Sequence, residues 1–398
     1  MSDLRMAIAR NIRTARRRLG LSQDDLAHAI GAKSGETISQ IEKGEREVKA
    51  WELNRIAKHL HVDFYDLMSE QELRFGPQPL WRKKPAANKP EVESWLLLRS
   101  KYYRHVMDLL HICPDEPLPS KQQFDPLSAS FETISGLGEQ VARALDLSER
   151  PARRLFDALE ACCVMLFCAD LGSDGSALSV WGQEGPAMVL NSSEPPWRRS
   201  FSCAHELFHL LTWDNVDSLR PRLGARQIQS LETRANIFAS ALLMPSAYLL
   251  PALRGRAVDG QLAGSDVITL AKDYGVSTAA FLWRIRNLGI ISQEIPESLL
   301  SNPRFREEDQ ASRVGTWDTP YGLPRRFVEL AFEAYTRALL SRARLAEMLE
   351  TDLTGLPALL ARCGIELEPE LAYKTKIPDT GRQCDHRIAQ VGPMVAPV

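Results

Sequence analysis

No uninterrupted apolar run in this sequence is long enough to cross a bilayer. The best candidate, Ala161 to Ala169, spans about half of the ~20 residues a membrane helix needs. No positively charged start leads into an apolar stretch, so a secretory signal is not expected. Cysteine is scarce, seven residues in 398, and the odd number without repeating spacing argues against a disulfide framework. The adjacent Cys162 and Cys163 sit inside an apolar run and read as buried thiols. Excess charge is also missing: 49 Lys and Arg against 51 Asp and Glu leave a net −2, so binding to nucleic acid or membrane must come from a local patch. There is no internal repeat and no strong low-complexity tract. What remains is the composition of a globular chain, 44% hydrophobic and 25% charged, expected in the cytoplasm. Its length calls for two or three domains.

Proline and glycine mark the boundaries. Residues 1–70 read as consecutive short helices, an expected first domain. Residues 71–90 read as a linker, because Gly76, Pro77, Pro79, Pro85 and Pro90 surround the basic run Arg82-Lys83-Lys84. Residues 91–295 form the expected second domain. Helices are predicted at about 91–112, 137–147 and 151–160. Short apolar runs at Cys162–Cys168, Ala177–Trp181 and Pro186–Leu190, separated by Gly-rich turns, then predict a small antiparallel sheet. Helices resume after Pro196. Residues 296–398 form a C-terminal helical region with a loose tail after Pro378. The expected class is mainly α with a small antiparallel sheet, α+β.

In the first domain, Ser22 stands at an N-cap with Asp25 three residues on, a capping-box-like start. Leu26, Ala27 and Ile30 form the inner face of that helix, and Gly31 turns the chain. Ser34 is expected to cap the next helix, whose Ile38 and Ile41 face inward. That leaves Gly35, Glu36, Ser39 and Gln40 outward at its N-terminal end, where a recognition helix meets the major groove. Over residues 6–68 the order resembles the Xre and phage-repressor family of five-helix helix-turn-helix domains, including Leu21-Ser22-Gln23 and the later Ala57, Leu60, Val62 and Leu67. The resemblance implies that Gln23 touches phosphate while Glu36 and Gln40 approach bases. Lys33 is a one-residue lengthening of the turn. Twelve Lys and Arg against eleven Asp and Glu in residues 1–70 give a weakly basic unit, so a homodimer on a two-fold operator in double-stranded DNA is expected.

The second signal is His205-Glu206-Leu207-Phe208-His209. Residues i and i+4 share a helix face, so both imidazoles can reach one cation. Glu206, about 100° round the helix, can serve as a general base without being a ligand. Ala204, Leu207, Phe208, Leu210 and Leu211 make the helix apolar almost all round; it should be buried, and buried His and Glu need partners. A third ligand is expected on the next helix, which ends at Pro245. There Glu232, Ala235, Asn236 and Ala239 form one stripe, so Glu232 can complete a His-His-Glu site for one zinc ion. Asn236 can hold a ligand imidazole in one tautomer. Tyr248 and Tyr274 are possible donors to an oxyanion.

These segments resemble the ImmA/IrrE family of gluzincin-like peptidases, from about residue 137 to 295. The resemblance includes Arg199-Ser200-Phe201 before the motif, Leu242-Leu243-Met244-Pro245, and Leu270 to Ser277 with Arg284 to Ile291 after it. It implies His205, His209 and Glu232 as zinc ligands and Glu206 as base. Phe208 replaces the glycine usual there, implying a differently packed cleft. Residues 266–291, though similar to a second helix-turn-helix, are expected to pack on the peptidase core. Proteins of this combination are stress, phage or mobile-element regulators whose peptidase cleaves a repressor-type protein. Three accounts follow: a DNA-directed zinc endopeptidase, a regulator whose peptidase-like domain senses or binds a partner without cleavage, and a self-processing repressor.

Overall fold

The computed structural model describes residues 2–83, 89–112, 118–119, 125–216, 222–313 and 322–366. The expected tail beyond Pro378 lies outside them. Five helices open the chain: α1 (Ser2–Arg18), α2 (Gln23–Ile30), α3 (Gly35–Glu42), α4 (Ala50–His59) and α5 (Phe64–Leu67). Ile12, Leu26, Ile38, Ile41, Leu53, Ile56 and Leu67 bury one small core of their own. The Ser22–Asp25 capping box forms in both directions, 3.0 Å and 2.8 Å, and Gly31 closes α2 in the left-handed region at φ 73°. A buried ion pair ties the bundle together: Arg16 donates to both Glu42 oxygens at 2.7 and 2.9 Å, and Gln23 donates to Glu42 Oε2 at 2.9 Å.

The described elements that follow share a second, larger core. Strand β1 (Leu80–Trp81) precedes α6 (Lys89–Leu109), α7 (Phe131–Ala144) and α8 (Pro151–Ala161). The chain then forms β2 (Met165–Ala169), β3 (Ala177–Gly182) and β4 (Gly185–Asn191). Helices follow: α9 (Pro196–Leu211), α10 (Trp213–Val216), α11 (Ala225–Leu243), α12 (Ser246–Arg256), α13 (Gly264–Asp273) and α14 (Thr278–Asn287). Five more close the described chain: α15 (Ile295–Ser301), α16 (Pro303–Ser312), α17 (Arg325–Thr336), α18 (Arg342–Met348) and α19 (Leu356–Arg362). Among the described residues no single helix is long and apolar enough to cross a membrane.

The α+β class stands, and the sheet departs from expectation in two ways. Its order is β1-β3-β4-β2, and β2 pairs with β4 in parallel, so the sheet is mixed rather than antiparallel. The β3–β4 hairpin folds back so that β4, not β3, lies beside β2. Asn191 stabilises the skip: its Nδ2 donates to the carbonyls of Gly172 and Gly175, and its Oδ1 accepts from the Leu171 N–H. The second departure is β1, which comes from the segment expected to be linker and pairs antiparallel with β3. Cys162 and Cys163 lie before β2; Cys162 caps α8 and Cys163 turns at φ 59°.

Helix α11 packs against both α7 and α9, and α9 and α11 carry the functional residues. Gly138 lets α7 approach α11 closely, because a Cβ there would meet the Phe238 carbonyl oxygen at 2.6 Å and the Leu242 nitrogen at 3.0 Å. Residues 266–291 pack into the large core through Val267, Ile268, Phe281, Leu282 and Ile285. The buried Arg284 bonds Glu139 on α7 at 2.5 Å and the Met244 carbonyl at 3.0 Å. The two cores meet at ion pairs: Arg344 of α18 donates to Asp63 at 2.8 Å, and Lys101 of α6 bonds Asp66 at 2.6 Å.

Candidate metal centre and DNA-reading helix

Helix α9 begins at Pro196 in its first turn and ends where the Thr212 hydroxyl donates to the Phe208 carbonyl at 2.8 Å. From Ser202 to Leu211 every residue of it is buried. Polar groups in so apolar a place require partners, and the structure supplies them. His205 Nε2 stands 3.2 Å from His209 Nε2 and 3.1 Å from Glu232 Oε2, while His209 Nε2 lies 3.5 Å from Glu232 Oε1. Glu232 reaches in from α11, whose Ala235 and Ala239 are fully buried and let that helix sit close. Asn236, one turn beyond, places its Oδ1 3.0 Å from His205 Nδ1.

The protonation of this cluster decides what it can hold. Burial pushes the His205 imidazole down to about 3, with the Arg82 charge adding to the shift and the Asn236 bond opposing it. A neutral His205 whose Nδ1–H donates to an amide oxygen presents a bare lone pair at Nε2. That lone pair faces a carboxylate oxygen, so acceptor meets acceptor across 3.1 Å. A cation between them removes the conflict. Donors held about 2.0–2.1 Å from a common tetrahedral centre stand about 3.3–3.4 Å apart; the two imidazole nitrogens are 3.2 Å apart, and each lies within 3.5 Å of one Glu232 oxygen, Oε2 for His205 and Oε1 for His209. Two imidazoles and one carboxylate are a donor set suited to zinc. Among the described residues these three are the group of His, Cys, Asp and Glu close enough to share an ion.

Glu206 projects from α9 toward β3, about 100° round the helix from His205. It is fully buried, and its Oε2 accepts from the Ser179 hydroxyl of β3 at 2.6 Å. Phe208 is fully buried against Phe238, ring centroids 5.5 Å apart, and holds α9 to α11. Tyr248 is exposed, while Tyr274 is buried beneath Arg150, whose guanidinium lies 4.5 Å from its ring centre. Two neighbours escaped the sequence reading. Ser179 carries no local signal, because only strand pairing brings it to α9. Arg82 was visible merely as part of a basic run; it donates to Ser202 Oγ at 2.6 Å and its charge acts on Glu206, Glu194 and Glu232.

On the first core, Glu36 is exposed and Ser39 and Gln40 are half-buried on α3. Gly35 departs from expectation. It is buried, and its N–H donates to Asp24 Oδ1 at 2.8 Å, so α3 starts pressed against α2. Asp24 rather than Ser34 supplies that side-chain bond, since the Ser34 side chain makes no capping bond. Gln23 is held by Glu42 and sits half-buried at the start of α2.

Residues 162–286 match the peptidase M78 family model described as the IrrE N-terminal-like domain, and residues 12–67 match that of the helix-turn-helix. No curated protein matches the chain. Each match falls on one of the two cores: the chain joins an N-terminal helix-turn-helix DNA-binding domain of the Xre type to an IrrE/ImmA-like, peptidase-like domain.

Proposed function

We propose that the protein is a DNA-binding transcription regulator whose second domain is a zinc-dependent endopeptidase acting on a partner protein of repressor type. The observation that carries this reading is the convergence of His205, His209 and Glu232 to within 3.5 Å of one another beside the buried Glu206. His205, His209 and Glu232 would hold the ion. When bound, zinc supplies Lewis acidity that brings the pKa of a water toward neutrality. Asn236 keeps His205 in the Nδ1–H tautomer with Nε2 toward the ion. Ser179 anchors one oxygen of Glu206, and the carboxylate takes the proton of the attacking water and returns it to the leaving amine. Glu36, Ser39 and Gln40 meet the operator, and Gln23 meets its phosphate. A homodimer on a two-fold site suits so weakly basic a domain.

The test is zinc content per chain, followed by cleavage. One zinc per wild-type chain, lost in Glu232→Ala, supports the ligand set; an unchanged stoichiometry removes Glu232 from it. Glu206→Gln should retain zinc and operator binding and abolish cleavage of the partner. Regulation undiminished in Glu206→Gln would leave a sensor in place of an enzyme, and a mass change of the intact chain on adding zinc would indicate self-processing.

A further inference from the structure

Residues 80–83 approach the site from outside the matched peptidase-like segment. Leu80 pairs with Ser179 and Trp81 with Leu178. Two further bonds extend the ladder: the Arg82 N–H donates to the Ala177 carbonyl at 3.0 Å, and the Ser176 N–H to the Lys83 carbonyl at 3.3 Å. Strand alternation puts Leu80 and Arg82 on the face of Ser179, toward α9. Trp81 takes the opposite face, where its indole N–H donates to Glu93 at 2.7 Å. Arg82 accordingly reaches Ser202 Oγ at 2.6 Å and lies over Phe201 with 5.2 Å to the ring centre. Ser202 precedes Glu206 by four residues, one turn away on the same face of α9.

A peptide presented for hydrolysis lies extended, with its scissile carbonyl near Glu206 and the donor cluster. The strand touching Glu206 is β3, and the edge of β3 away from β4 is a row of backbone donors and acceptors to which such a peptide adds as one more strand. That edge is where β1 lies. We propose that the β3 edge is the peptide-binding groove of the peptidase site, that residues 80–83 occupy it as an internal pseudo-substrate, and that the groove selects an extended peptide carrying an aliphatic residue followed two positions later by a basic one. The purpose assigned to the groove rests on the peptidase reading.

The selectivity follows from what surrounds Arg82. Ser202 Oγ lies 3.2 Å from Ser176 Oγ and 3.4 Å from Glu194 Oε2, and Ser176 donates to Glu194 Oε1 at 3.0 Å. The side chain of Glu194 is 14% exposed. Burial lowers the Arg82 pKa, and the carboxylates of Glu206, Glu194 and Glu232 oppose that shift. An acidic side chain at the same place would face three carboxylates instead.

The experiment needs neither catalysis nor zinc. A fluorescent peptide of residues 79–83, and the same peptide with glutamate in place of arginine, are titrated by anisotropy against full-length wild type and Arg82→Pro. The substitution removes both the N–H given to Ala177 and the guanidinium. A tethered segment competes at an effective concentration on the order of millimolar, so wild type should exclude the peptide and Arg82→Pro should bind it at least ~10-fold more tightly. The glutamate peptide should bind Arg82→Pro at least ~10-fold more weakly. Equal affinity for wild type and variant, or no binding by either, overturns the proposal. Hydrogen exchange on unaltered protein guards against a variant that fails to fold. The Ser176 amide should exchange at least ~100-fold faster than the β4 amides, through local opening; equal protection marks β1 as a fixed strand and overturns the proposal. Peptide binding by a protein that holds no zinc keeps the groove and removes the peptidase reading; zinc without peptide binding does the reverse.

Discussion

Removing the acceptor behind His205 tests how the proposed metal centre is organised. In Asn236→Ala the Nδ1–H loses the oxygen that lies 3.0 Å away and keeps Nε2 turned toward Glu232. The Asn236 side chain is exposed, so water can replace it, and one neutral hydrogen bond is worth only about 0.5–1.5 kcal/mol net. The partner behind a ligand imidazole typically contributes 10–100-fold to metal affinity. Solvent access places this case at the lower end, about tenfold, or about 1.4 kcal/mol. Asn236→Asp should move affinity the other way, because a carboxylate is the stronger acceptor for that N–H. Both effects are measured by competition for zinc against a chromophoric chelator at fixed pH, with Glu232→Ala as the control that loses a ligand. Wild-type zinc affinity in Asn236→Ala, with affinity lost in the control, would refute the argument that this bond orients the ring.

Three further outcomes follow from the packing. Gly138→Ala drives a methyl into the Phe238 carbonyl and the Leu242 nitrogen, backbone atoms that cannot swing aside, so α7 and α11 must separate. A loss of about 2–3 kcal/mol in urea unfolding is expected, and an unchanged midpoint would contradict that contact. Arg344→Met strips the buried Asp63, whose side chain is 3% exposed, of its cation and should cost about 3 kcal/mol. Calorimetry should then show the helix-turn-helix melting ahead of the rest. Burial pushes the Glu160 carboxyl up to about 7, with Asp157 and Glu329 adding to the shift and Arg326 opposing it. Between the ordinary 4.5 and 7 the folded chain therefore binds more protons than the unfolded one, and stability falls as pH rises through that window. Glu160→Gln should be more stable than wild type at pH 8 by on the order of 2 kcal/mol, with the difference vanishing near pH 4.5; a pH-independent difference would contradict the shift.

Those groups differ in how far sequence could foresee them. Helix periodicity alone put His205 and His209 on one face and Ala235, Ala239, Glu232 and Asn236 on one stripe, since 3.6 residues per turn leave no other arrangement. The Ser22–Asp25 box and the left-handed Gly31 were equally legible, because caps act within a single turn. Gly35 was not. A helix wheel turns it outward, yet the Asp24 carboxylate of the preceding helix pins its N–H and buries it.

Local chemistry in the sequence thus determined which residues could share a helix face and which segments could pair. Tertiary structure decided which faces meet. The parallel placing of β2 beside β4, Ser179 behind Glu206, and Arg82 beside Ser202 all depend on partners 22 to 120 residues away. Proline-rich residues 71–90 read as linker because nothing within them declares a strand. Two residues become β1 only because β3, far along the chain, offers an edge whose backbone groups they can pair with.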